Sequence, residues 1–593
     1  MKVHQFSHRP ASINTLPVEL LTRIFVLGAG YDYLYEDSPF LLKPNQDIYP
    51  PPSSFQTLAS HVCHRWRQIA IRTPSLWKTI HLREPVHIPR AKAYLERCSA
   101  SSNYLLDILV DTVAQEEHIP GVTLCREEIN AIFELIIPHV AHWRSFHLKV
   151  RDNECKLSAR HYLGSCGPAP RLETLQLYHF EDYRTAQNLY LATYRPPVVV
   201  FSNSLPRLRN VSLIGVNLPW TRSPYLVNLE KLELALHPDN IRPSYECWDH
   251  ILRNSPNLQS LNLHYSGPRV DTGEDKLAWH ETSNKIILEH LTDLGLTDLD
   301  PDYLCDLMER LHLPNVKKIT WDLCDQDYTT FIDLVTRKTE VTVMATPPAT
   351  PPIGSDSRSK MSVSSLLSDT VLDRQVVSPS PTTMSIYTGP LPNISKLETV
   401  VISALDCSLR SWKSLLGALE GLKRLEVDFS RLGPGFWSVL TGESEGGVKT
   451  MHTSKPLLVP KLEVIKVSGL PGTEIEREIK RRAVQSCLRH WIVRWSTAMK
   501  GEDSILDALA QNGCWVSEEG YTKVAEADQR VYVIVETFAE GDEEDDDDEG
   551  EDLEEDVETP ADSGSDEAGS DSDLPSTPSP SSVQTHIIVP NSI

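Results

Sequence analysis

The sequence predicts an α/β chain in which a small helical segment leads into a long array of strand–helix units. Three observations predict it. Residues 12–82 carry apolar side chains at helical spacing. A unit of the form L-x-x-L-x-L recurs nine times between Leu172 and Val467. Two stretches, 344–392 and 540–593, hold too few large apolar residues to offset chain entropy, so both are expected to be disordered.

The helical segment comes first. Pro17 suits a first helical position, where its missing N–H costs nothing. Leu16, Leu20, Leu21, Ile24 and Phe25 then form an apolar stripe, and Gly28 and Gly30 are expected to end the helix. A second helix can start after Ser54, with Leu58, Val62, Trp66 and Ile69 on one face. Thr73-Pro74 breaks it and starts a short third helix carrying Leu76 and Trp77. Thr79 to Leu82 reads as a strand leading into the array.

The repeated units follow, in two blocks at 83–343 and 393–539. They begin at Leu172, Leu208, Leu229, Leu258, Leu291, Val316, Leu397, Leu422 and Leu462. In each, the last two apolar residues lie two apart and face one side of a short strand. The first sits three residues earlier and turns the chain into that strand. One unit cannot bury its apolar side alone, but stacked neighbours can, which predicts a solenoid. Between units, Tyr245, Trp248, Ile251 and Leu252 recur at helical spacing before Ser255-Pro256 stops the run. Spacing between units is ragged, from 21 to 40 residues, with one gap of 81 that contains the low-complexity insert.

Charge and composition exclude several classes. The net charge is −25, but residues 540–593 hold 20 Asp and Glu and no Lys or Arg. The preceding 539 residues carry only −5, so no broad nucleic-acid-binding surface is expected. No apolar run reaches the ~18 residues that span a bilayer. Residues 1–20 lack the apolar core of a secretory signal. The eleven cysteines are scattered without close pairs, which fits reduced thiols in the cytosol or nucleus rather than zinc ligands. The triplets at Asn210 and Asn393 are then read as chance matches.

Catalytic motifs are sought without success. Gly442-Glu-Ser-Glu-Gly446 matches G-x-S-x-G, but carboxylates on both sides of Ser444 disfavour developing negative charge, so it reads as a loop. His280-Glu281 lacks the second His of a zinc-protease helix. No cofactor and no metal are expected, and the chain is read as a non-enzyme. Arg477, Lys480, Arg481, Arg482, Arg489 and Arg494 are placed on a basic helix ending near Met499, as a cap on the array. Ser563, Ser565, Ser570 and Ser572 in the tail, and Ser/Thr-Pro pairs from Thr346 to Ser579, offer phosphorylation sites in a solubilising or regulatory context.

The N-terminal stretch resembles an F-box. The family pattern stands here as Leu16-Pro-Val-Glu-Leu-Leu21, Ile24-Phe25, Val62-Cys-His-Arg-Trp-Arg67 and Leu76-Trp77. It departs at His64, where Lys or Arg is common, and in a long insert spanning residues 28–53. The nine units resemble leucine-rich repeats of irregular form, since most lack the Asn that usually follows the strand. The layout also looks like the F-box-like proteins of mushroom-forming fungi.

The resemblance implies a small three-helix F-box followed by an irregular leucine-rich-repeat solenoid, with a disordered insert and a disordered acidic tail. It implies a non-catalytic adaptor that docks on a Skp1-like protein within a cullin–RING ubiquitin ligase while the solenoid holds an unknown target. By resemblance, Leu16, Pro17, Leu20, Leu21, Ile24, Phe25, Val62, Trp66 and Trp77 contribute to the Skp1-facing surface or the small core behind it. Two other readings stand beside this one. One is a repeat scaffold outside any ligase, its apolar helices serving as its own cap. The other is an acidic-tail chaperone of basic proteins.

Overall fold

The computed structural model describes residues 13–31, 55–99, 102–115, 117–179, 197–216, 218–239, 241–269, 285–343, 382–441, 458–468, 490–496, 514–516, 521–524 and 532–538. Its centre is one long open sheet. Strands β1 (Thr79–Leu82), β2 (Leu106–Asp111), β3 (Trp143–Val150), β4 (Thr174–His179), β5 (Asn210–Ile214), β6 (Lys231–Ala235) and β7 (Ser260–His264) pair in chain order. A two-residue strand, β8 (Ile286–Ile287), stands outside this order and pairs with another, β10 (Leu311–His312). The main sheet continues through β9 (Asp293–Thr297), β11 (Lys318–Asp327), β14 (Thr399–Asp406), β15 (Arg424–Asp428), β16 (Val464–Ser468) and β17 (His490–Ser496). All of these neighbours are parallel.

The repeated units explain the register. Leu175, Val211, Leu232, Leu261, Leu294, Ile319, Val400, Leu425 and Ile465 pair one to the next across nine strands. All are buried, because alternate strand residues face one side of the sheet. A slip of one residue anywhere would turn this row out of the core. The first position of a unit closes a tight turn, as where Leu172 N bonds to Ala169 O at 3.2 Å and Leu258 N to Ser255 O at 3.1 Å. Chain direction is then reset after the strand. Gly215, Leu236, Tyr265 and Asp298, each immediately after its strand, all have positive φ. The N–H groups of the first three bond to the carbonyl that ends the next strand, as in Leu236 N to His264 O at 2.8 Å, and that of Asp298 bonds to Asp322 O within β11 at 2.8 Å.

Helices cover the apolar side. They include α4 (His87–Cys98), α5 (Arg126–Ile136), α6 (Asn153–Ser165), α7 (Tyr245–Arg253), α8 (Pro301–Glu309), α9 (Thr329–Val335), α10 (Leu409–Ala418) and α11 (Pro434–Thr441). The expected helix at Tyr245 is present, with Trp248, Ile251 and Leu252 buried. One continuous apolar core runs from Leu21 to Val467. None of the helices among the described residues is long and apolar enough to cross a membrane.

The strand expected at Thr79–Leu82 is β1, and β2 and β3 extend the sheet before the first L-x-x-L-x-L unit. Three expectations need correction. The N-terminal helix α1 (Val18–Tyr31) continues through Gly28 and Gly30 rather than ending there, so the insert cannot begin at 28. A Cβ at Gly28 would collide with the Phe55 ring, so this glycine serves packing, not termination. Within 344–392, residues 382–387 form β13 (Thr382–Tyr387), paired antiparallel with β12 (Lys338–Val343). Finally, β17 occupies 490–496, where a basic helix was expected; the run Trp491-Ile-Val493 is rich in β-formers and extends the sheet from β16. Ser54, His280-Glu281, Ser444, residues 477–489 and the tail from 540 lie outside the described residues.

Candidate partner-binding site

The N-terminal helices are built around three aromatic rings. α1 packs on α2 (Phe55–Val62) and α3 (His64–Ile71). Phe25 lies 4.9 Å from Trp66 and 6.4 Å from Phe55, centroid to centroid. Polar ties lock the turns. Arg65 Nη2 donates to Leu16 O at 2.6 Å, Arg67 Nε to Ser60 O at 3.0 Å, and Thr73 Oγ1 to Ile69 O at 2.7 Å. Cys63 caps α3, its sulfur accepting from Trp66 N. The short third helix is a single 3₁₀ turn, Pro74–Leu76, followed by buried Trp77, whose Nε1 donates to Ala70 O at 2.9 Å.

The structure sorts the nine residues named from the sequence. Leu21, Phe25 and Trp77 point inward and are essentially fully buried. Leu16 and Trp66 are half-buried against the same core. Pro17, Leu20, Ile24 and Val62 face outward. α1 therefore carries two apolar stripes. Leu21, Phe25 and Gly28 make the inner one, at positions i, i+4 and i+7. Leu20, Ile24 and Leu27 make the outer one at the same spacing, and remain 49, 40 and 63% exposed. α2 repeats the arrangement, with Leu58 and Val62 one turn apart and both exposed.

This outward apolar surface is concentrated here. Of the seventeen large apolar side chains exposed among the described residues, nine lie between Ile13 and Ile71. Scattered exposed apolar residues need no explanation, but stripes on adjoining helices mark an interaction surface. Leu27, on the outer stripe of α1, and Leu58, on α2, are exposed and are not among the nine residues named from the sequence for the Skp1-facing surface. The available signal was that Leu20, Leu21, Ile24, Phe25 and Leu27 give α1 an apolar arc wider than an inner face alone requires.

A family model, F-box-like, matches residues 13–83. The chain carries an F-box-like domain. That domain spans α1 to α3, the 3₁₀ turn and β1, so its last part is the first strand of the sheet. No curated protein matches the chain.

One other cluster has the composition of a metal site. Donor atoms of Cys125, Asp152 and Cys155 lie within 4.8 Å of one another. Asp152 is already engaged: Arg126 donates to both of its oxygens at 2.9 and 2.7 Å, and it caps α6 by accepting from Glu154 N and Cys155 N. Burial raises both thiols above their ordinary values. A guanidinium in the site and protonated thiols favour a sealed joint between α5 and α6 over a metal. The nine described cysteines are all free.

Proposed function

We propose that the chain is a non-catalytic substrate-recognition adaptor of an SCF-type ubiquitin ligase, acting in the cytosol or nucleus. The F-box-like domain docks on a Skp1-like protein, and through it on a cullin–RING ligase. One observation carries the reading: the domain that matches the F-box-like model leaves the stripe Leu20, Ile24 and Leu27 in water. Covering the exposed half of each side chain would contribute about 1 kcal/mol apiece. An apolar helical face laid against a partner's helices is an established recognition mode.

The rest of the chain holds the target. We read the repeated units as an irregular leucine-rich-repeat solenoid. In favour is the contribution of one parallel strand per unit, in chain order and constant register. Catalysis here is proximity alone: holding the target near the charged ubiquitin enzyme raises the effective concentration of its lysines.

A second reading is a repeat scaffold outside any ligase, with the three helices as its cap. The shared core from Leu21 onward favours it. Co-expression with Skp1 separates the two. Co-purification of the intact chain that is lost in Leu20→Asp/Ile24→Asp supports the adaptor. A folded intact chain that does not retain Skp1 supports the scaffold.

A further inference from the structure

The joint between α5 and α6 holds two thiols that the adaptor reading leaves without a role. Cys125 is the N-cap of α5, and Cys155 lies in the first turn of α6. Their sulfurs lie within 4.8 Å of each other, and each thiol shifts the other's ionisation. Both are free and essentially fully buried. A disulfide needs its sulfurs about 2.05 Å apart, a gap that rotation of the two side chains can close. Arg126 and Asp152 tie the same two helix ends at 2.9 and 2.7 Å without using either sulfur, so the pair stays together while it reacts.

The two thiols differ in access. The Cys125 thiol donates to Gln115 Oε1 at 3.5 Å, and Gln115 is exposed. A turn of that side chain opens a path from solvent to the sulfur. The backbone N–H of Arg126, at the start of α5, favours the Cys125 thiolate, while burial opposes it. Cys155 lies behind, with none of its surface in water.

We propose that Cys125 and Cys155 form a reversible disulfide when hydrogen peroxide is present. The Cys125 sulfur attacks one peroxide oxygen: the S–O bond forms, the O–O bond breaks and a first water leaves. The Cys155 sulfur then attacks the Cys125 sulfur: the S–S bond forms, the S–O bond breaks and a second water leaves. Two electrons pass from the thiols to peroxide, and both thiol protons end in the waters. A dithiol reductant reverses the bond, as expected of a redox-sensing disulfide in a reducing compartment. The outward stripe of α1 takes no part, so the proposal does not depend on adaptor binding.

The test treats the full-length chain, without Skp1, with hydrogen peroxide. Remaining thiols are alkylated and the peptides mapped by mass spectrometry. The expected product is a linked pair containing Cys125 and Cys155, two hydrogens lighter than the reduced pair and cleaved by dithiothreitol. The thermal midpoint should rise on oxidation, because the cross-link constrains the unfolded chain. In Cys155→Ala the reaction should stop at the sulfenic acid, so dimedone should label Cys125. In Cys125→Ala, Cys155 should stay unlabelled. Circular dichroism verifies that each variant is folded. A link from either cysteine to a different one, or a link that forms only in urea, would overturn the proposal. So would no link in the intact chain once half-buried Cys247 is oxidised, or no dimedone on Cys125 in folded Cys155→Ala.

Discussion

Trp77 and Tyr94 meet edge to face, their ring centroids 4.9 Å apart. Arg97 lies over the same Trp77 indole at 4.1 Å and 6.0 Å from the Tyr94 ring. Trp77 ends the F-box-like helices, while Tyr94 and Arg97 belong to α4, which packs on β1. Through this contact the helices that present the apolar stripe and the sheet that follows are one packed body. A partner on the stripe and a partner on the sheet would be held at a fixed separation.

Replacing Trp77 should therefore act on both parts. Trp77→Ala removes a fully buried ring and its bond to Ala70, and should destabilise the fold by about 3–5 kcal/mol. Urea unfolding followed by tryptophan fluorescence and circular dichroism measures it. A loss confined to the helical segment would contradict the shared core.

The outward stripe should behave oppositely. Leu20→Asp and Ile24→Asp place charge where water already reaches, so stability should change by no more than about 0.5 kcal/mol each. Leu21→Asp, one position on, buries that charge and should unfold the domain. Thermal midpoints of the three variants decide between the two stripes.

Asp107 tests the first strands of the sheet. It is almost wholly buried, accepts from Arg144 Nε at 2.8 Å and from Ser145 Oγ at 2.9 Å, and is bonded by a second Arg144 nitrogen. Asp107→Ala strands the guanidinium and should cost about 3–5 kcal/mol. The urea midpoint checks it, and Arg144→Met/Asp107→Leu should recover most of the loss.

Acid should destabilise the chain through its buried histidines. Burial pushes His147 and His237 down to about 4, from an ordinary value near 6.5. Both are neutral in the fold and charge more readily when unfolded. Their contribution is full above pH 6.5 and lost as pH falls towards 4, on the order of 3 kcal/mol each. Urea midpoints between pH 7 and 4.5 should fall. The decline should be shallower in His147→Gln, whose ring now meets Gln176 Oε1 at 2.8 Å.

Much of the fold was legible in the sequence because its units repeat. Every L-x-x-L-x-L unit lies on one parallel strand. The strand at Thr79–Leu82 was legible too, but β2 and β3 escaped because burial there follows no such pattern: β2 is buried from Leu106 through Val110, Asp107 included, and β3 anchors itself with Trp143 and Phe146. The apolar positions of α1 were legible in the sequence, but not the direction each one faces. Leu20 and Leu21 are adjacent and identical, and only the positions of Phe55, Trp66 and Trp77 decide which one faces water. Gly28 misled for a related reason: a glycine that admits an aromatic ring looks, in sequence, like one that ends a helix.

The location of the adaptor site is tested most directly by hydrogen–deuterium exchange of the full-length chain with and without Skp1. Skp1 should slow exchange in residues 18–31 and 55–71 and leave β4 to β16 unchanged. Protection on the sheet instead, or no protection at all with Skp1 in excess, would contradict the account.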